Sequence, residues 1–123
     1  RARTEAFAEQ VIAFADIGDF IRDPTRVYSS GMTMRLAFSV AVHLDPDVFV
    51  VDEIIGVGDS AFQEKCRKKM LELRSREKTL LLASHSRDLI ESMCDRAIWL
   101  EKGAVMKAGK VAEVMDAYQN RGA

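Results

Sequence analysis

Apolar residues recur along this chain in two periods, one helical and one strand-like. Phe7, Val11 and Phe14 fall at i, i+4 and i+7, which predicts a helix with one apolar stripe and Thr4 as its cap. Ile17, Phe20 and Ile21 extend that surface past Gly18, a core-packing helix pair is expected, and Pro24 ends the segment. After Gly31, the residues Leu36, Ala37, Val40, Ala41 and Leu44 again keep helical spacing, until Asp45-Pro46 stops it. Val48-Phe49-Val50-Val51 is a continuous apolar run, which predicts a strand covered on both faces of a parallel sheet. A third helix carries Phe62, Cys66, Met70 and Leu73, opened by Asp59 or by Ser60 in a capping box with Gln63. Thr79 to Ala83 reads as a second buried strand, and Ser86 as the cap of a helix holding Leu89, Ile90 and Met93. Ala97-Ile98-Trp99-Leu100 and Ala104-Val105-Met106 flank Lys102-Gly103, a hairpin signal. A last amphipathic helix follows Gly109, with Val111, Val114, Met115 and Tyr118 on one face.

A strand covered on both faces of a parallel sheet belongs to an open α/β sheet. Composition bounds the chain further: 123 residues with 48% hydrophobic and 30% charged residues suit one small domain with its own core. A net charge of −1 gives no electrostatic footprint for nucleic acid. Lys65, Arg67, Lys68 and Lys69 are diluted by Glu64 and Glu72, so a solvated face is expected there, and His43 is expected on a helix surface without a function. Cys66 and Cys94 have no ligand-like spacing and read as reduced thiols. No apolar run approaches the ~18 residues of a membrane span. With neither an initiator Met nor a leader pattern, Arg1 is expected to begin a fragment.

The candidate chemistry is concentrated in residues 28–59 and in one histidine beyond them. Ser29-Ser30-Gly31 joins small residues, which let a backbone approach a ligand, to a helix N-terminus, which offers N–H groups to an anion. A plain helix cap by Ser29 or Ser30 is the alternative. Asp52 and Glu53 end the first strand, where open α/β sheets bind ligands. One such acid can hold a hydrated Mg2+ while its neighbour orients and deprotonates a water; a solvated acidic loop is the alternative. Gly56-Val57-Gly58 forms a second glycine turn and ends in Asp59. His85 closes the second strand and is either a capping or core histidine or, beside those acids, a ligand-facing one.

Tyr28-Ser29-Ser30-Gly31-Met32-x-x-Arg35 resembles the signature motif of ABC-type ATPases, usually L-S-G-G-Q-x-x-R. Val48 to Glu53 resembles their Walker B strand with its catalytic glutamate, Gly56-Val57-Gly58-Asp59 their D-loop, and His85 their switch histidine. The order and spacing also match, over essentially the whole chain. Tyr28, Ser30, Met32 and Ile54 depart from the usual pattern. Together with F-A-D-I-G-D-F-I before the signature and V-G-D-S-A-F-Q-E-K-C after Walker B, they resemble the branch that exports O-antigen, capsule or teichoic-acid polymers.

The resemblance implies a P-loop NTPase-type α/β fold, a parallel sheet with flanking helices plus part of the helical subdomain. Residues 1–44 would be the helical and signature region, and residues 45–123 the Walker B, D-loop, switch-histidine and C-terminal part. No G-x-x-x-x-G-K-[ST] pattern occurs, so the Walker A half and the Q-loop are expected upstream of Arg1, and the chain alone is expected neither to bind ATP tightly nor to hydrolyse it. Carried over, Asp52 would hold Mg2+ through water, Glu53 would act as general base, and His85 would contact the γ-phosphate. Ser29, Ser30 and Gly31 would bind ATP held by a second copy of the subunit, and Asp59 would cross that interface. The implied partners are a polytopic membrane permease and a second copy of the subunit, at the inner face of the cell membrane, with no nucleic acid. Two other readings compete: a soluble ABC-type ATPase of DNA repair or translation, and a non-catalytic interaction module. The absence of heptads and of a basic patch weighs against the first. Intact Asp52, Glu53 and His85 weigh against the second.

Overall fold

In a computed structural model, residues 1–53 and 59–122 are described, and they divide into two compact units, Arg1–Leu81 and Leu82–Ala123. In the first unit, α1 (Ala2–Ala15) packs on α2 (Ser30–His43), β1 (Val48–Asp52) follows, and α3 (Ser60–Ser75) leads to β2 (Thr79–Ala83), whose last two residues begin the second unit. The second unit continues with α4 (Arg87–Met93), β3 (Arg96–Glu101), β4 (Ala104–Lys110) and α5 (Val111–Gln119).

The first unit is held by an aromatic cluster drawn from four elements. Phe14 of α1 meets Phe62 of α3 edge-on at 5.9 Å, and Phe38 of α2 meets Phe49 of β1 edge-on at 5.8 Å. Edge-to-face pairs set the positive rim of one ring against the negative face of the other, which adds to the gain from burial. His43 joins this cluster 5.3 Å from Phe14, with Nδ1 donating to the Ser39 carbonyl at 2.6 Å, so it is a packed residue and not a plain surface one. The stripe Phe62, Cys66, Met70 and Leu73 is buried as the period predicts. Burial pushes the Cys66 thiol up to about 11, which leaves it protonated and unreactive.

Other local expectations are corrected. Helix α1 starts at Ala2, so Thr4 lies inside it rather than capping it. Residues 18–22 and 25–27 form 3-10 turns rather than a second helix, and Phe20 is exposed. On α2 the buried positions are Ser39 and Val42, while Ala37 and Leu44 face out. Ser39 is fully buried because its hydroxyl donates to the Arg35 carbonyl one turn back at 2.6 Å. Lys65 is not part of a solvated face: its ammonium donates to the Phe14 carbonyl at 2.6 Å and lies over the Phe14 ring. A cation there complements the negative C-terminal end of α1.

Strands β1 and β2 are joined through α3 and form a two-stranded parallel sheet. Their entry ends are clamped by charge: Lys78 meets Asp47 at 2.9 Å, Arg76 meets Asp45 at 3.6 Å, and the Thr79 amide donates to the Asp47 carbonyl. Strand β1 is not covered on both faces. Phe49 and Val51 are buried, while Val48 and Val50 are 56% and 66% exposed.

In the second unit, β3 and β4 pair antiparallel, Arg96 opposite Lys110 and Glu101 opposite Ala104, with one irregularity between Trp99 and Leu100. The turn at Lys102 and Gly103 has φ of 48° and 81°, the doubly positive pair that matches the twist of a hairpin and favours glycine at its second position. Helix α5 packs on this hairpin: Val111 and Met115 join Ile90 in a core flanked by Leu82, Cys94, Ala97 and Tyr118. Trp99 meets Tyr118 edge-on at 5.9 Å.

Candidate functional site in the signature and Walker B regions

Ser29 stands in extended conformation immediately before α2, and its Oγ accepts from the Met32 amide at 3.2 Å. This is an N-cap, and it leaves the Ser30 and Gly31 amides as the first-turn donors that a helix cannot satisfy within itself. Both residues lie at the surface end of α2 rather than in the core. A Cβ built on Gly31 would meet nothing closer than Ser29 Oγ at 3.9 Å. Packing among the described residues therefore does not demand glycine there.

Arg35 organises this end of the unit. Arg35 Nε donates to the Ala15 carbonyl at 3.0 Å, and Nη1 donates to Asp59 Oδ2 at 3.2 Å. Its guanidinium carbon lies 4.6 Å from the centre of the Phe62 ring. Asp59 uses its other oxygen to cap α3, with Oδ1 accepting from the Phe62 amide at 2.8 Å. That amide is the largest influence holding the Asp59 carboxyl below the usual carboxylate range; partial desolvation opposes it, and the Arg35 hydrogen bond adds to it. Asp59 thus ties the start of α3 to α2 within its own chain. The sequence motif contains Arg35, but the pairing with Asp59 spans 24 positions and no local signal marks it.

Asp52 and Glu53 are exposed at the C-terminal end of β1. Glu53 has a φ of 45°, in the left-handed region that a non-glycine residue seldom occupies. Such a conformation turns the chain abruptly as the strand ends, and strained backbone of this kind clusters at functional sites. The Asp52 donor set is a carboxylate oxygen, the hard donor that Mg2+ accepts while keeping most of its water and phosphate ligands. Among the described residues, no group of three or more His, Cys, Asp or Glu is gathered to form a protein-only metal cage. A lone carboxylate fits an ion coordinated chiefly by phosphate and water. Residues 54–58, with Gly56, Val57 and Gly58 of the second glycine turn, lie outside the described residues.

His85 belongs to the second unit. It is exposed in the three-residue turn between β2 and α4, where Ser84 Oγ accepts from the Ser86 amide at 3.0 Å and Ser86 caps α4.

A strand ending in two acids, a serine-capped glycine helix and a histidine at a neighbouring strand's end are set on the fold of ATP-binding cassette ATPases. A solved ATP-binding subunit of an ABC transporter matches with a TM-score of 0.76 at 21% identity, over 95% of this chain and 50% of that one. A dimeric ATP-binding cassette solved in a post-hydrolysis state with ADP and Pi matches with a TM-score of 0.70 at 21% identity, over 86% of this chain and 46% of that one. The sequence goes further than the fold. The chain is 44% identical over 119 residues to the O-antigen export system ATP-binding protein RfbB of Myxococcus xanthus, covering 97% of this chain and 27% of RfbB. It is 47% identical over 108 residues to the teichoic acids export ATP-binding protein TagH of Listeria innocua, covering 88% of this chain and 32% of TagH. No family model matches the chain. The chain is thus homologous to O-antigen and teichoic-acid export ATP-binding proteins over most of its own length, and it spans about a third or less of theirs.

Proposed function

We propose that this chain is the signature and Walker B part of the ATP-hydrolysing subunit of an ABC transporter that exports a polysaccharide or a teichoic-acid-like polymer across the cytoplasmic membrane. The observation that carries the reading is the 44–47% identity to export ATP-binding proteins across residues that include every candidate site position. The subunit would work as a homodimer beside a polytopic permease, at the inner face of the membrane. No helix among the described residues is long and apolar enough to cross a membrane.

Within that reading each residue has a distinct task. Glu53, placed just past the end of β1, accepts a proton from the water that attacks the γ-phosphate of ATP and orients that water in line. Asp52 would hold Mg2+ through its hydration shell, and the ion would supply neutralisation of charge on the phosphate oxygens. His85 donates a hydrogen bond to the γ-phosphate. Ser29, through its hydroxyl hydrogen, and the Ser30 and Gly31 amides meet the γ-phosphate of ATP held by the second copy, since a helix N-terminus favours an anion. Asp59 contributes at the dimer interface by fixing the start of α3 against the signature helix through Arg35.

Glu53→Gln in the complete subunit tests this. The amide keeps the shape but accepts a proton poorly, so turnover should fall by ~10^2–10^4 while ATP still binds. Near-native turnover would remove Glu53 from its role. Surface polymer should fall in cells carrying the variant; hydrolysis lost with unchanged surface polymer would refute the export assignment.

A further inference from the structure

We infer that Arg87 is the positioning residue for His85, acting by locking the first residue of α4 onto α5; this rests on the reading of His85 given above. Three residues separate Ala83 from Arg87, so the helix after the His85 turn bears directly on its orientation, together with the strand before it and the Ser84–Ser86 hydrogen bond within it. Helix α4 has 7 residues, and a helix of that length does not hold its own direction in water. Ile90 and Met93 bury its far end; at its near end Asp88 is exposed, Leu89 is half-buried, and Arg87 reaches across to α5. The Arg87 guanidinium reaches three acceptors. Nε donates to Glu91 Oε1 at 2.7 Å, within α4. Nη1 donates to Asp116 Oδ1 at 2.8 Å and to Gln119 Oε1 at 2.7 Å, both on α5. Asp116 and Gln119 are three apart, one turn of the same helix face, and α5 is itself anchored through Val111, Val114 and Met115.

A planar fork with fixed donor directions therefore runs from the second residue after His85 to the most firmly packed helix of the unit. Exposed ion pairs add little to folding stability. One guanidinium spent on three acceptors at the surface is better explained by the angle it fixes than by the energy it adds. Misplacing a catalytic group by about 1 Å can cost on the order of 100-fold in rate, so such a strut has kinetic leverage that its stability contribution does not reveal.

The test is a double-mutant cycle on the complete ATPase: wild type, Arg87→Ala, His85→Ala and the pair, with Asp116→Asn and Arg87→Lys as milder breaks of the same strut. Turnover in Arg87→Ala should fall about tenfold or more, with KM for ATP little changed, Arg87→Lys should recover part of the loss, and Asp116→Asn should lower turnover in the same direction. The pair should be no slower than His85→Ala alone, because a strut has no effect once its load is gone. An undiminished Arg87 effect in the His85→Ala background would overturn the inference. Wild-type turnover in His85→Ala would instead overturn the role of His85, and this inference with it. Should His85→Ala abolish turnover altogether, the His85 ring resonances decide: they should shift and broaden in Arg87→Ala and in Asp116→Asn, and unchanged resonances would overturn the inference.

Discussion

Asp59 shows how a side chain at a candidate site can serve local structure and long-range organisation together. One oxygen caps α3 and the other holds Arg35, so removing the charge should loosen both α3 and the signature helix. Its carboxyl titrates below the unfolded value of about 3.9. A group whose folded pKa is depressed contributes stability that is fully present above the unfolded value and is lost as pH falls through the folded one. We therefore expect Asp59→Asn to melt below wild type at pH 6, with the gap closing as the pH drops through the lowered pKa. Thermal melts of both proteins across pH 2–6 measure this, and a gap independent of pH would exclude the ionic contribution. A helix cap at Ser29 or Ser30, and Asp52 and Glu53 at a strand end, were legible in the sequence, because each is set by neighbours a few residues away; His85 was read at the strand's end and stands two residues past it. The left-handed Glu53 and the Arg35–Asp59 pair were not, since one is a backbone strain with no composition signal and the other joins distant positions.

Helix α3 carries the clearest periodic signal and gives the clearest energetic consequence. Met70 is 1% exposed and lies in the stripe that faces the core of the first unit. Met70→Ala removes buried methylenes and a thioether and leaves a cavity, so unfolding free energy should fall by ~2–5 kcal/mol. Urea unfolding would check it, with a shift of the midpoint and an unchanged slope. A loss below 1 kcal/mol would mean that the site collapses around the smaller side chain. The hairpin and α5 were equally legible, through Lys102-Gly103 and the spacing of Val111, Val114 and Met115. The inward face of α2 was not. Ser39 is buried by a hydrogen bond to its own helix, so a polar residue took the place that hydrophobic periodicity gave to Ala37. Lys65 escaped for a related reason: charge counting shows a diluted basic face, whereas the end of α1 supplies one of those cations with a specific acceptor.

The two sheets of the molecule share one property, an apolar face open to solvent. In the first unit Val48, Val50 and Leu81 are 56%, 66% and 60% exposed, and in the second Ile98, Leu100 and Val105 are 62%, 64% and 62% exposed. The sequence predicted the strand at residues 48–51 to be covered on both faces and that at residues 79–83 to be buried. Instead β2 pairs with β1 and β3 with β4, so among the described residues each sheet has two strands. Apolar side chains standing side by side on an exposed sheet form a patch of the kind that seeks another surface, and exposed strand edges add unpaired backbone groups to the same tendency. Fully burying one Val or Leu is worth ~1.5–3 kcal/mol, so covering three together supplies several kcal/mol towards association. We therefore expect residues 1–123, prepared alone, to self-associate as concentration rises. Replacing Val50 and Leu81 together by lysine should reduce association by setting charge on that face, without a matching loss of melting temperature, since neither side chain is in the core. Light scattering over a concentration series, with thermal melts of the same samples, provides the check. A monomer at all concentrations, or a double variant that associates as strongly as the parent, would show that these faces do not drive assembly.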